Sequence, residues 1–349
     1  MIIMKKKFIL IAKYFSKDFG GPKAIVQGLL DNYNVNDVDF LPLLYTESQT
    51  KLRYISNLVK VCIKEKNATI NVHTFGYFLP FVVMLISKCN HKNNYYLTVH
   101  GLYSAESQYN EKNNKLYFML EKVIMRHFDN IICVSEMLRK DIERKYRRNK
   151  NIMVIPNATD AQSSIVPKET NNRLNIIYLG GLRKCKGIEN VLNLSLELKK
   201  RGIDFSTFLY GNDEWGKDNL NSFIEKHDLK GYIHYMGATK DKQMLYDKIA
   251  SADIQLCLSN YDTFNTAIAE SLVLGCPVIA TQTCGASYLI EGESGIVVDV
   301  NNSNYIEKAC DYVESFMKEP DKRLRVFAQR RKYISKLRWA SIVERYISL

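Results

Sequence analysis

Asp262 and Glu270 stand eight residues apart in the stretch IQLCLSNYDTFNTAIAESLVLGCPVIA, residues 254–280. The apolar pattern predicts a strand over 254–258, a polar loop over 259–264 and a helix from about Asn265 to Leu274. Gly275 stops that helix, and a second apolar strand follows over 278–280. A helix that opens just after a strand turns unpaired N–H groups and partial positive charge towards whatever lies above the sheet edge, which favours phosphate. Two carboxylates near that end suit hydroxyl groups instead. Phosphate donors beside hydroxyl acceptors point to a nucleotide sugar as the ligand.

The elements that must position these groups alternate along the chain. Short strands, apolar on both faces, are expected at 8–11, 70–72, 95–99, 131–134 and 153–155. Helical patterns fall between them at 24–31, 77–87, 115–126 and 135–147. After the polar stretch DAQSSIVPKETNNR, residues 160–173, the alternation restarts with strands at 175–179, 206–210 and 233–236 and helices at 187–201, 219–228 and 240–250. Doubly buried strands separated by helices predict parallel sheets with helices on both faces, so the fold class is α/β. Two doubly wound, Rossmann-like domains are expected, 1–160 and 161–334, and a basic amphipathic helix closes the chain over 335–349. Sheets of this kind bind ligands at the carboxyl ends of their strands, so a two-domain chain would use the cleft between them.

Bulk properties narrow the classes. With 349 residues, 46% of them hydrophobic, the chain can build two ordinary cores. The net charge is +12, with basic runs at Lys5–Lys7, Arg139–Lys150 and Lys318–Lys336. Such runs usually form solvated faces. An anionic membrane surface is the second reading. Nucleic acid is the third, and no helix-turn-helix, zinc spacing or aromatic-basic RNA motif supports it. The eight cysteines include no Cys-x-x-Cys pair, and most read as small core residues in a reduced, cytoplasmic compartment. The amino terminus MIIMKKKFILIAKYF lacks the order of a secretory signal and reads as a first strand over 7–12. The apolar stretch 75–86 is shorter than the about 20 residues a membrane span needs, and reads as a core helix or an interfacial patch.

The segment Asp262-Thr263-Phe264-Asn265-Thr266-Ala267-Ile268-Ala269-Glu270 resembles the E-x7-E signature of the retaining glycosyltransferases of family 4, which have the GT-B fold. Asp replaces the first Glu, and Asn265 replaces a usual Gly. Leu179–Gly187 (LGGLRKCKG) is similar to the family segment G-R-L-x-x-x-K-G, with Lys186 on its Lys and Gly181 where its Arg stands. Arg183 is two residues on and is the substitute candidate for the diphosphate. Gly20-Gly21-Pro22 resembles the loop whose backbone approaches the donor phosphate. His100, after the strand ending at Val99, matches a histidine that reaches the donor sugar or the acceptor side; His73 stands similarly after its own strand. Tyr210-Gly211 and Gly237 resemble loops flanking the nucleotide base, and Gly285 is kept from a Gly-Gly-x-x-Glu loop. Trp339 matches a Trp at the start of a last helix that crosses back onto the first domain.

The resemblance implies a GT-B protein whose first domain is acceptor-side and whose second binds the donor. His100, Lys186, Asp262 and Glu270 become the catalytic candidates. Gly20, Gly21, Arg183, Tyr210, Gly211, Gly237, Phe264, Asn265, Thr266 and Gly285 become the donor-binding ones. The implied activity is metal-independent, retaining hexosyl transfer from a UDP- or GDP-sugar, with no other cofactor. The acceptor is a saccharide, lipid-linked by expectation, in bacterial lipopolysaccharide, O-antigen or capsule synthesis at the inner face of the cytoplasmic membrane. A catalytically poor partner subunit of a true transferase is the rival reading, motivated by the departures at 181, 262, 265 and 288. A pyridoxal-dependent phosphorylase and a sugar-nucleotide epimerase fit the residues less well.

Overall fold

The computed structural model describes residues 6–14, 21–33, 38–110, 114–148, 150–169 and 173–349. The chain divides into two units: one runs to Ala158 and takes in Trp339–Leu349, the other spans Thr159–Arg338.

In the first unit the described residues form a six-stranded sheet. Its strands are β1 (Lys6–Lys13), β2 (Val38–Tyr45), β3 (Thr69–His73), β4 (Asn94–Val99), β5 (Asn130–Cys133) and β6 (Ile152–Val154). The order is β2-β1-β3-β4-β5-β6, and every pair is parallel. Phe8–Ala12 of β1 are all buried, as a strand covered on both faces requires. The strand β2 was not foreseen. Its Pro42 interrupts the strand pattern, and the sheet tolerates it because β2 lies at the edge. The helix Lys51–Lys64 was also missed, although Thr50 caps it and Tyr54, Leu58 and Cys62 form one buried stripe.

The second unit repeats the plan with β7 (Leu174–Tyr178), β8 (Phe205–Tyr210), β9 (Ile233–Gly237), β10 (Ile254–Cys257), β11 (Val278–Thr281) and β12 (Gly295–Val298). The order is β12-β11-β10-β7-β8-β9, again all parallel.

The single closing helix expected from Ser335 is corrected. Arg338 takes an extended conformation (φ −69°, ψ 146°), and two helices result, Arg331–Leu337 and Trp339–Ile347. The break coincides with the change of unit. Trp339, Ile342, Val343 and Tyr346 then join the core of the first unit. Gly28 makes room for this: a Cβ there would fall 2.0 Å from the Trp339 ring.

The basic run 318–336 is not only a solvated face. Arg323, in the helix Lys322–Gln329, is 1% exposed and donates to the carbonyls of Ala252 (2.9 Å), Gly275 (2.5 Å) and Ala250 (2.8 Å). These carbonyls end the helices Lys242–Ser251 and Thr266–Leu274, so one guanidinium caps both. Arg323→Ala would orphan three buried acceptors and is expected to lower stability by about 3 kcal/mol or more, read by urea unfolding. An unchanged urea midpoint would refute the capping role.

The apolar stretch 75–86 contributes the helix Phe78–Cys89, with Pro80, Val83 and Met84 buried and Phe78 and Leu85 exposed. No helix among the described residues is long and apolar enough to cross a membrane.

Candidate functional site

In the second sheet the chain runs β7-β8-β9 in one direction and then returns to lay β10 on the other side of β7. The strand order therefore reverses between β7 and β10, and such a reversal opens a crevice at the carboxyl ends. The two loops leaving those ends are the ones singled out in the sequence: Gly180–Gly187 after β7 and Leu258–Asn265 after β10. They are laced together. Asn260 N donates to the Cys185 carbonyl (3.0 Å) and its Nδ2 to the Lys184 carbonyl (2.8 Å). Asn190 Nδ2 bonds Leu258 O and Asn260 Oδ1. Tyr178 donates its hydroxyl to Lys186 O at 2.9 Å.

This lacing delivers Lys186 Nζ to Asp262 Oδ2 at 2.5 Å, with side chains 25% and 11% exposed. Burial pulls the Lys186 ammonium down, but the Asp262 charge and hydrogen bond outweigh it, and its pKa is raised. Lys186 is thus a fixed cation. The other Asp262 oxygen accepts from Asn265 N at 3.0 Å. Asn265 has φ +68° and lies outside the helix, which begins at Thr266 instead. One carboxylate therefore shapes the entry to the helix and anchors the lysine. Glu270 is in the second turn and is partly buried. Its carboxylate makes no hydrogen bond among the described residues. Burial pushes its pKa up to about 7, against the pull of Lys242. A partly buried carboxylate with unused acceptor capacity suits a ligand that brings hydroxyl donors.

The missing arginine has a structural reason. Gly181 sits at φ +65°, and a Cβ there would meet Asn212 O at 2.5 Å. Gly211, at φ +128°, is as tightly placed: a Cβ there would fall 2.7 Å from Gly181 Cα and N. Gly181→Arg, which would restore the family residue, is therefore expected to strain this loop and weaken nucleotide binding at least about tenfold. Tighter binding in that variant would show that the loop adapts. Arg183 donates to Gly180 O (3.0 Å), lies 4.0 Å from Glu214, and acts electrostatically on Lys186.

The remaining donor candidates line the same edge. Gly211 N bonds Gly237 O at 2.9 Å, and Tyr235 donates to Gly211 O, while Tyr210 is buried. Gly285 N bonds Asp262 O at 2.7 Å, and Ala286 N bonds Phe264 O at 2.6 Å, so the 283–286 loop rides on the Asp262 loop. Phe264 is buried and serves as packing, while Thr266 opens the helix.

Residues 160–333 match the family model for Glycosyl transferases group 1, and residues 15–163 match that for Glycosyltransferase Family 4. The chain belongs to the group 1 glycosyl transferases. An uncharacterized 41.2 kDa protein in the cps region of Klebsiella pneumoniae is 23% identical, over 95% of this chain and 96% of its own length. A GDP-mannose-dependent alpha-(1-6)-phosphatidylinositol dimannoside mannosyltransferase of Mycobacterium tuberculosis is 22% identical, over 59% of this chain and 53% of its own. The chain thus spans from about half to nearly all of the length of these relatives. The crystal structure of Anabaena HepE in complex with UDP superposes with a TM-score of 0.74 over 99% of each chain, at 14% identity, and shows the shared GT-B fold.

In the first unit of this glycosyltransferase the strand order reverses between β1 and β3. Gly20 lies outside the described residues, and Gly21 is the first residue of the helix Gly21–Asn32. His73 ends β3 and His100 follows β4. His73 Nδ1 and His100 Nε2 are 2.9 Å apart, and Thr74 Oγ1 accepts from His100 N at 2.9 Å.

Sequence reasoning missed several supports. Thr281 and Thr283 donate their hydroxyls to Ser259 O at 2.7 and 2.6 Å, fixing the start of the Asp262 loop. Asn190, Tyr178 and Glu214 carried no signal, because each is defined only by a partner distant in sequence. The His73–His100 pair had one: both histidines directly follow apolar strand residues.

Proposed function

We propose that this glycosyltransferase moves a sugar from a UDP- or GDP-sugar to a saccharide acceptor with retention at the anomeric carbon. The observation that carries the reading is the meeting of Lys186, Asp262 and the Glu270 helix at the reversal point of the second sheet. Lys186 and Arg183 supply the positive charge for the departing diphosphate, and the N-terminus of the helix Thr266–Leu274 adds backbone donors. Glu270 accepts the ribose hydroxyls. Donor binding draws Lys186 towards phosphate, and Asp262 is then free to hold sugar hydroxyls. The bond from the anomeric carbon to the diphosphate oxygen breaks first, and its electron pair leaves with the phosphate. The acceptor oxygen forms the new bond on the same face and gives its proton to that phosphate oxygen. No enzyme nucleophile is required, and no metal ion is assigned a step.

The acceptor belongs to surface polysaccharide assembly, a reading supported by the Klebsiella relative's place in a cps region. A lipid-linked form fits the exposed Phe78, Leu85, Leu116 and Met119 and the neighbouring lysines, among them Lys51, 3.5 Å above the Phe78 ring. The test is to incubate the protein with UDP- and GDP-sugars and short oligosaccharide acceptors, follow nucleotide release, and read the product anomer by NMR. Release of UDP or GDP with an α product from an α donor is expected. A β product would sink retention, and no release from any donor would sink the transferase reading.

A further inference from the structure

The first unit holds its own pair of side chains at the end of its sheet, and the pair fixes more than position. We propose that His73 is a positioning residue that holds His100 in its neutral Nδ1–H tautomer, the form that can donate to an oxygen of the donor or acceptor. The proposal rests on reading His100 as a site residue of the transferase.

His73 Nδ1 and His100 Nε2 are 2.9 Å apart and share one hydrogen. A neutral imidazole carries one N–H and one bare nitrogen. His73 is 1% exposed, and its other nitrogen, Nε2, is buried with no hydrogen-bond partner. If His100 donated from Nε2, His73 would carry its own proton on that partnerless Nε2. A buried N–H without an acceptor is the rarer and costlier state, whereas a bare ring nitrogen leaves only a lone pair unused. His73 therefore protonates at Nδ1 and donates. His100 accepts at Nε2 and carries its proton at Nδ1.

The surroundings keep both rings neutral. The His73 ring lies near the rings of Phe75 (6.4 Å), Tyr346 (6.2 Å) and His100 (5.1 Å). Burial lowers both imidazoles, His73 well below the ordinary histidine range and His100 to about 4. Tyr346 comes from the closing helix Trp339–Ile347, and on the neighbouring strand Thr98 donates to Asn71 Oδ1 at 2.9 Å. Tyr346 of the returning helix thus lies against the His73 ring, which is 1% exposed, while His100 is only partly buried. With Nε2 occupied and the ring neutral, His100 acts by hydrogen-bond donation and not as a general base.

The test is selective 15N-histidine labelling of the full chain, with tautomers read by long-range 1H–15N correlation and His100 assigned from His100→Ala. The native protein should show His100 in the Nδ1–H form. His73→Phe keeps a ring beside Phe75 and Tyr346 but removes the donor. It should release that tautomer and lower kcat by about 10²-fold with little change in the donor KM. His73→Asn, whose amide N–H can replace Nδ1–H, should restore most of the loss and prove the fold tolerant. A native Nε2–H form of His100, or a tautomer indifferent to His73→Phe, would overturn the proposal. Undiminished turnover in His100→Ala would overturn it as well. An inactive native protein would instead sink the transferase reading, while the tautomer is read independently of turnover.

Discussion

Lys186→Ala should lower kcat/KM by about 10²–10³-fold, the size of effect seen when one preorganised charge stabiliser is removed from a leaving group. The expectation follows from placement. Lys186 stands on a loop laced to the β10 loop, so its backbone is in place when substrate arrives and only its ammonium has to swing from Asp262 to phosphate. Its raised pKa keeps it charged through neutral and mildly basic pH, so its contribution should be flat up to about pH 9. Lys186→Arg should rescue poorly, because a planar fork cannot replace a compact ammonium in a site shaped around it. The same substitution to alanine leaves Asp262, 11% exposed, without its cation, so stability should fall too. Steady-state kinetics with a saturating acceptor checks the first claim. A change confined to KM would mean that Lys186 binds donor and transition state equally well.

Glu270→Gln should separate stability from binding. In the folded protein the Glu270 carboxyl is raised to about 7, from an ordinary value of 4.5. The folded state therefore holds this proton more tightly than the unfolded chain. The stability it contributes is complete below about pH 4.5 and is lost as pH rises through about 7. At pH 8 the native carboxylate is a partly buried charge without a hydrogen bond among the described residues. Its replacement by an uncharged amide should stabilise the ligand-free protein by on the order of 2 kcal/mol. Binding should move the other way. Ribose hydroxyls donate best to a carboxylate, so nucleotide affinity should fall in the variant by about 10²-fold, as for loss of a charged hydrogen-bond acceptor. In the native protein affinity should weaken below pH 7, and binding at pH 7 should release protons. Thermal unfolding and calorimetry at pH 6 and pH 8 check both halves. A variant less stable at pH 8, or one that binds as tightly as the native chain, contradicts the assignment.

Much of this was legible in the chain. The alternation of doubly buried strands with helices predicted two parallel sheets, and the order of strands bears that out. Asp262 and Glu270 could be singled out because their spacing fits a loop and a helix start after a strand, and Lys186 because residues 179–187 resemble a family segment, all local features. What escaped was non-local. β2 hid behind Pro42, whose tolerance depends on an edge position the sequence does not mark. Arg323 looked like one more cation in a solvated run, because its three carbonyl partners are 48, 71 and 73 residues away. The pairing of Lys186 with Asp262 spans 76 residues, and nothing short-range announces it. Gly181 read as a lost arginine; the structure makes it a necessity of the close approach to Gly211 and Asn212.

The central claim is that the crevice between β7 and β10 binds the nucleotide diphosphate of a sugar donor. Calorimetric titration of the purified protein with UDP, GDP and ADP, repeated on Lys186→Ala and Glu270→Ala, tests it most directly. Binding of one nucleotide is expected, with a dissociation constant on the order of micromolar, weakened at least about tenfold in both variants. Folded protein that binds none of the three, or variants that bind as tightly as the native chain, would contradict it.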